Sequence, residues 1–183
     1  MLPPNMTWLE TIGALPKMVE SAIQYLGIKE IPGKANNPVI MDMAKGLGVA
    51  DIYTNDDIAW CAVFINHLIR INGKPMVDIK GDRGNLLRAR WLANWGNPVE
   101  REQEKLGDVI VLKRDGGGHV CLWIAATPKG FLGIGGNQGN KVSFSEFDTN
   151  RIIASRNYYA TAAPASAKLY IIDSTGNLST NEA

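Results

Sequence analysis

The spacing of apolar residues changes near residue 100, and that change limits the fold more than any other feature of this 183-residue chain. Up to residue 95 the apolar positions recur at threes and fours. Val19, Ala22, Ile23 and Leu26 form one such stripe, and Ile40, Met43, Ala44 and Leu47 a second. Cys61, Phe64, Ile65, Leu68 and Ile69 form a third, and Leu87, Trp91, Leu92 and Trp95 a fourth. Stripes of this kind are the buried sides of helices. From residue 108 the apolar runs shorten and are bounded by glycine-rich turns, at 108–113, 119–125 and 130–134, and 141–147 and 151–158 continue the series. These read as strands joined by hairpins. Helices first and strands second predict an α+β fold, with N-terminal helices against one face of a mostly antiparallel sheet of about five strands.

Residues 1–159 are expected to form a single domain. Residues 160–167 read as a linker, 168–173 as a last strand, and 174–183 as a frayed polar tail. Composition narrows the partners: the net charge is +1, with no polybasic run, which argues against nucleic acid. The apolar runs are too short to cross a bilayer, so no membrane insertion is expected. The first residues show neither a basic region nor an apolar core of a secretory signal, so the chain is expected to be cytoplasmic when made. Two cysteines are too few for a disulfide framework, although a single Cys61–Cys121 bond stays open. A monomer is expected.

The third stripe carries the chemistry. Asn55, Asp56 or Asp57 is a suitable helix cap, and Gly73 with Pro75 is a plain stop. Cys61 would then lie in the first helical turn, where unpaired N–H groups and the helix dipole favour a thiolate. Its pKa is expected to fall from about 8.5 toward roughly 3.5–7.5. The competing reading is a small core hydrophobe, since cysteine is among the most buried residue types. Asn66, His67 and Arg70 read as the solvated side of the same helix.

A thiol nucleophile needs a base, and the chain has two histidines. His67 lies six residues beyond Cys61, about 240° around the helix, and cannot reach back. His119 opens a strand after Gly116-Gly117-Gly118 and shares a strand face with Cys121 and Trp123. A base also needs an orienting partner on its second nitrogen. The next strand ends in Gly135-Gly136-Asn137-Gln138. A three- or five-residue loop at the intervening turn places Asn137 opposite His119, and a two- or four-residue loop places Gln138 there.

Four fragments, in order, carry a family resemblance: Asp57-Ile58-Ala59-Trp60-Cys61-Ala62-Val63-Phe64, Gly107-Asp108-Val109-Ile110-Val111, Gly118-His119-Val120 and Gly135-Gly136-Asn137-Gln138. They resemble papain-like cell-wall hydrolases of the CHAP and NlpC type, and within these, small phage and prophage endolysin-like proteins. The segments at 27–33, 37–38, 89–92 and 95–96 are similar too, so the resemblance runs over residues 15–155. It implies a papain-like fold, Cys61 as nucleophile, His119 as base and Asn137 as the polar third member. The acidic residue many CHAP domains place two positions before that asparagine is a glycine here, Gly135.

The resulting expectation is a bacteriolytic peptidoglycan hydrolase without cofactor or metal. It would act on the cell wall after release or export, as an amidase or an endopeptidase. Trp60, Gln138, Gly118 and Glu30 are the expected oxyanion or groove residues, with Trp91 and Trp95 as further groove candidates. Asp56 and Asp57 are cation candidates as well as caps. Two other readings stand beside this one. One is a zinc site built from Cys61, His119 and Cys121, for which the chain lacks the usual ligand spacing. The other is a wall-binding or interaction module without turnover.

Overall fold

A computed structural model describes all residues except Lys34, Thr175, Asn181 and Ala183. Among the described residues three α-helices precede the sheet: α1 (Lys17–Gln24), α2 (Pro38–Gly46) and α3 (Cys61–Ile71). A 3-10 segment at Pro4–Glu10 precedes them, and two more, at Arg83–Leu87 and Ala89–Asn94, follow α3. Six strands follow: β1 (Asn97–Val99), β2 (Val109–Arg114), β3 (Gly117–Thr127), β4 (Gly130–Gly135), β5 (Ser143–Phe147) and β6 (Ile152–Asn157). They form one sheet in the order β1-β6-β2-β3-β4-β5, with every neighbouring pair antiparallel. The fold is α+β.

α3 is the axis of the helical layer. Val63, Phe64, Ile65, Leu68 and Ile69 are buried, and they share a core with Val109, Val111, Val120, Leu122, Leu132 and Ile134 from the sheet. The opposite sheet face holds a smaller cluster of Ile110, Leu112, Cys121, Trp123, Phe131 and Phe147. There the Trp123 and Phe131 rings stack with centroids 4.6 Å apart. Strand alternation explains the division, since odd and even positions of β2 and β3 face opposite ways.

Five expectations need correction. The segment at 84–95 is not one helix but two 3-10 segments, because Arg88 between them takes an extended conformation (φ −100°, ψ 110°). The sheet has a sixth strand, β1, which is only three residues long and contains Pro98, so it leaves almost no sequence signal. Asn66 and His67 are not solvated: both are buried, because α1 and the segment Arg83–Leu87 cover the far side of α3. Asn66 donates to the Leu86 carbonyl at 2.9 Å. Finally, the C-terminal stretch is not frayed over its described residues. Ala126 and Ile172 exchange hydrogen bonds with Tyr170 and Ala126 carbonyls respectively, and Ser179 donates its N–H to Glu146. The expected strand at 168–173 thereby reduces to a single parallel bridge, Ala126 to Ile171.

Gly136 sets how closely α3 approaches the sheet. A Cβ there would lie 2.6 Å from Trp60 Cζ3 and 2.7 Å from Phe64 Cβ. Both atoms belong to buried, packed side chains, so neither gives way cheaply. Gly136→Ala is expected to cost about 1–3 kcal/mol, read as a lowered urea midpoint with an unchanged slope. An unaltered midpoint would mean that the helix start is not seated on this glycine.

Candidate active site

α3 begins at Cys61, with Trp60 at the cap position and no side-chain cap. The expected capping by residues 55–57 does not occur, because Asp56 is committed elsewhere. Its carboxylate accepts from the backbone N–H of Asn37 at 2.7 Å and of Ile31 at 3.1 Å, pinning two loops together. Cys61 is therefore the first residue of the helix, closer to the free N–H groups than a capped start at 57 would place it.

The thiol is 4% exposed. Backbone N–H groups of Val120, Ala62 and Cys61 itself surround it and favour the thiolate, but burial outweighs them and pushes the thiol up from its ordinary value. The expectation of a depressed pKa is thus reversed in the resting protein. An amide from β3 joins the helix start in facing the sulfur, and Val120, which supplies it, directly follows His119.

His119 is fully buried, and its ring leans on Phe147 with centroids 5.4 Å apart. It thus faces the smaller cluster with Cys121 and Trp123, the shared face its alternation predicts. Nε2 lies 3.2 Å from Gln138 Oε1. The amide nitrogen of Gln138 donates to the Ser143 carbonyl at 2.6 Å and lies 3.4 Å from the Gly133 carbonyl. Two carbonyls can only be met by the NH2 end, so the oxygen faces the ring and His119 carries its proton on Nε2. Nδ1 is buried without a hydrogen-bond partner. A lone pair on that nitrogen is what a general base requires. Burial lowers the His119 pKa to about 4, so the ring is neutral at pH 7. No hydrogen bond joins the Cys61 sulfur to the ring among the described residues.

The orienting contact goes to Gln138 rather than Asn137, and the pairing together with the turn after β4 accounts for it. Thr127 pairs with Gly130 across a two-residue turn, the loop length that aligns Gln138 with His119. A bulge at Ile124 then shifts the pairing by one, so that Leu122 faces Ile134. Asn137, with φ +58°, turns the chain after β4 has ended and brings Gln138 back to the ring. The Asn137 side chain is itself buried with neither amide atom hydrogen-bonded.

The remaining expected groove residues are placed as follows. Trp60 is fully buried and its indole donates to Glu30 at 2.8 Å, so the pair ties the loop before α2 to the start of α3 and does not line an open groove. Gly118 lies under Arg90, where a Cβ would meet Arg90 Cγ at 2.7 Å. Trp95 is buried and donates to the Pro75 carbonyl, and Trp91 donates to that of Asp78. Both cysteines are free thiols. No group of three or more His, Cys, Asp or Glu side chains among the described residues is arranged to hold a metal ion, which leaves the zinc reading without a cluster. No helix among them is long and apolar enough to cross a membrane.

Sequence reasoning missed a set of charged neighbours of His119. Glu182 forms a two-pronged ion pair with Arg151, at 2.9 and 2.8 Å, and is 1% exposed. Arg114 donates to the Glu182 backbone carbonyl. Glu182 lies 63 positions from His119 in an otherwise polar stretch, and no local pattern connects the two.

His67 offers a test of burial that leaves the site alone. It hydrogen-bonds Tyr25 at 2.8 Å and is 7% exposed, and burial, with the Arg70 charge second, lowers its pKa to about 4. An unfolded ring takes its proton near pH 6.5. Between those values the unfolded chain binds more protons, so this contribution is intact above pH 6.5 and lost as the pH falls toward 4. His67→Gln is expected to make the acid loss of stability shallower by roughly 1–3 kcal/mol across that window. Urea midpoints at pH 8 and pH 4 measure it, and parallel losses in both proteins would refute it.

No family model matches this chain. Two curated rice proteins are similar over a short stretch, each called Auxin response factor 10, from Oryza sativa subsp. indica and subsp. japonica. Both are 34% identical over 80 residues, which is 44% of this chain and 11% of the rice protein.

Proposed function

We propose that this chain is a papain-like, cysteine-dependent hydrolase of the CHAP and NlpC type, cutting an amide bond of bacterial peptidoglycan. One observation carries the reading: a buried histidine presents an unpaired Nδ1 while its Nε2–H is held by a clamped glutamine. It sits beside the strand amide that faces a helix-start cysteine.

In this reading the Cys61 proton passes to His119 Nδ1 and the sulfur attacks the scissile carbonyl. Negative charge on the carbonyl oxygen is met by the Cys61 N–H at the helix start. His119 returns the proton to the leaving amine, then draws one from water, which hydrolyses the thioester and restores the thiol. Gln138 keeps the ring in the tautomer that does this. Because thiol and imidazole are both neutral at rest, the ion pair forms only as the reaction proceeds. The protein would act on the wall after release from the cytoplasm, as a monomer.

The test is incubation with purified peptidoglycan and mass spectrometry of the soluble products, with Cys61→Ala as control. New amino termini within the stem peptide identify an endopeptidase, and whole stem peptides freed from muramic acid identify an amidase. Burial of both Cys61 and His119 favours one other reading, a module that binds the wall without turnover. Wall that sediments with the protein yet stays uncut would establish that instead.

A further inference from the structure

A cleft of about 790 Å³ opens beside β2 and the C-terminal stretch. It is lined by four cations, Arg90, Lys113, Arg114 and Arg151, against Asp115 and Asp148. One carboxylate is lodged in it, that of Glu182. Both its oxygens engage Arg151, its backbone carbonyl takes the Arg114 guanidinium, and it is removed from water. Arg151 also lies over the Phe147 ring, at 5.9 Å, and the other side of the contact chain is His119 on that same ring. The field of Glu182 is felt at both His119 and Cys121. Arg114 retains a buried Nε without a partner, so its donors are not exhausted.

We propose that Arg151 and Arg114 form a carboxylate-binding subsite next to His119, which Glu182 fills in the resting chain and an acidic peptide substrate fills in its place. The proposal rests on His119 being the base of the reaction, and it names the substrate class: a peptide with a free carboxylate close to the scissile amide. A planar guanidinium held by its own packing is suited to two-pronged recognition of such a group. Glu182 then has a double effect. It satisfies the arginines when no substrate is present, and it competes with substrate, so that only a ligand offering a carboxylate of its own displaces it.

The probe is glutarate, a small dicarboxylate, with its neutral diamide as control. Binding is followed by NMR of the His119 ring and the arginine Nε–H signals in the full chain. Glu182→Gln, which keeps the side-chain shape, is expected to bind glutarate at least 10-fold more tightly than the wild type. Adding Arg151→Met to Glu182→Gln is expected to abolish that binding, and adding Arg114→Met to weaken it several-fold. The diamide should leave every signal unmoved. Equal glutarate affinity in the wild type and Glu182→Gln, or a response to the diamide, would overturn the subsite. Because binding is read without turnover, the two readings fail separately. Glutarate bound by a protein that leaves the wall uncut removes the hydrolase and keeps the subsite. Wall digestion by a protein that ignores glutarate does the reverse.

Discussion

Replacing Cys61 by alanine is expected to lower wall hydrolysis on the order of 10⁴-fold or more while the protein stays folded. The change deletes one sulfur at a position where the helix start is held by backbone contacts and by Trp60 and Phe64, so stability should move by about 1 kcal/mol or less. Cys121→Ser is the contrasting case. Cys121 lies among Ile110, Leu112, Trp123 and Phe131, and burial there raises its thiol well above the usual range. A serine hydroxyl in that cluster should cost about 1–3 kcal/mol of stability and leave most activity. Alkylation separates the thiols further. With burial holding the Cys61 thiol up, iodoacetamide should modify the resting protein more slowly than a free cysteine at pH 7, and activity should fall in step with Cys61 modification alone. Near wild-type hydrolysis by a folded Cys61→Ala protein would remove the mechanism altogether.

The second large effect falls on Gln138. Gln138→Ala takes away the acceptor that holds His119 Nε2–H, so the ring is free to rotate or to switch tautomer. We expect kcat to fall on the order of 100-fold with KM little changed. Asn137→Gly should do the opposite of what its place in the family pattern suggests. Asparagine holds φ +58° there and its amide makes no hydrogen bond, so glycine relieves the backbone without removing an orienting contact. Its turnover is expected to stay within about twofold, a margin far below the effect of a lost base, and its melting temperature should hold or rise. If instead Asn137→Gly is inactive and Gln138→Ala is normal, the ring is oriented by Asn137 during the reaction and the resting hydrogen bond is incidental.

The strands β2 to β4 were legible because each is an apolar run between glycine-bearing turns, and α2 and α3 because their stripes are clean. Legibility failed where the decisive partner is distant. Asn66 and His67 look solvated until Arg83–Leu87 is laid over them, and nothing local announces that contact. Asp56 is a good helix cap by residue type, yet two amides 19 and 25 positions upstream claim its carboxylate. At the site, the sequence singled out Cys61 and His119 as residue types in suitable places, and it left Asn137 and Gln138 as alternatives tied to loop length. That choice could not be made by counting the loop, since the bulge at Ile124 lies in the middle of β3 in an unbroken apolar run. Glu182 and Arg151 were invisible for the same reason as the cover on α3: their meaning lies in who they meet across the fold.

The bulge has a consequence for anyone who would transplant or redesign this hairpin. The shift at Ile124 moves the β3–β4 pairing by one, and the left-handed turn at Asn137, just past the end of β4, offsets it so that Gln138 meets His119. Removing either alone would leave a well-formed hairpin whose glutamine no longer meets the ring, while removing both together would restore the alignment. The two positions should therefore be exchanged as a unit, although they share neither a contact nor a chemical role.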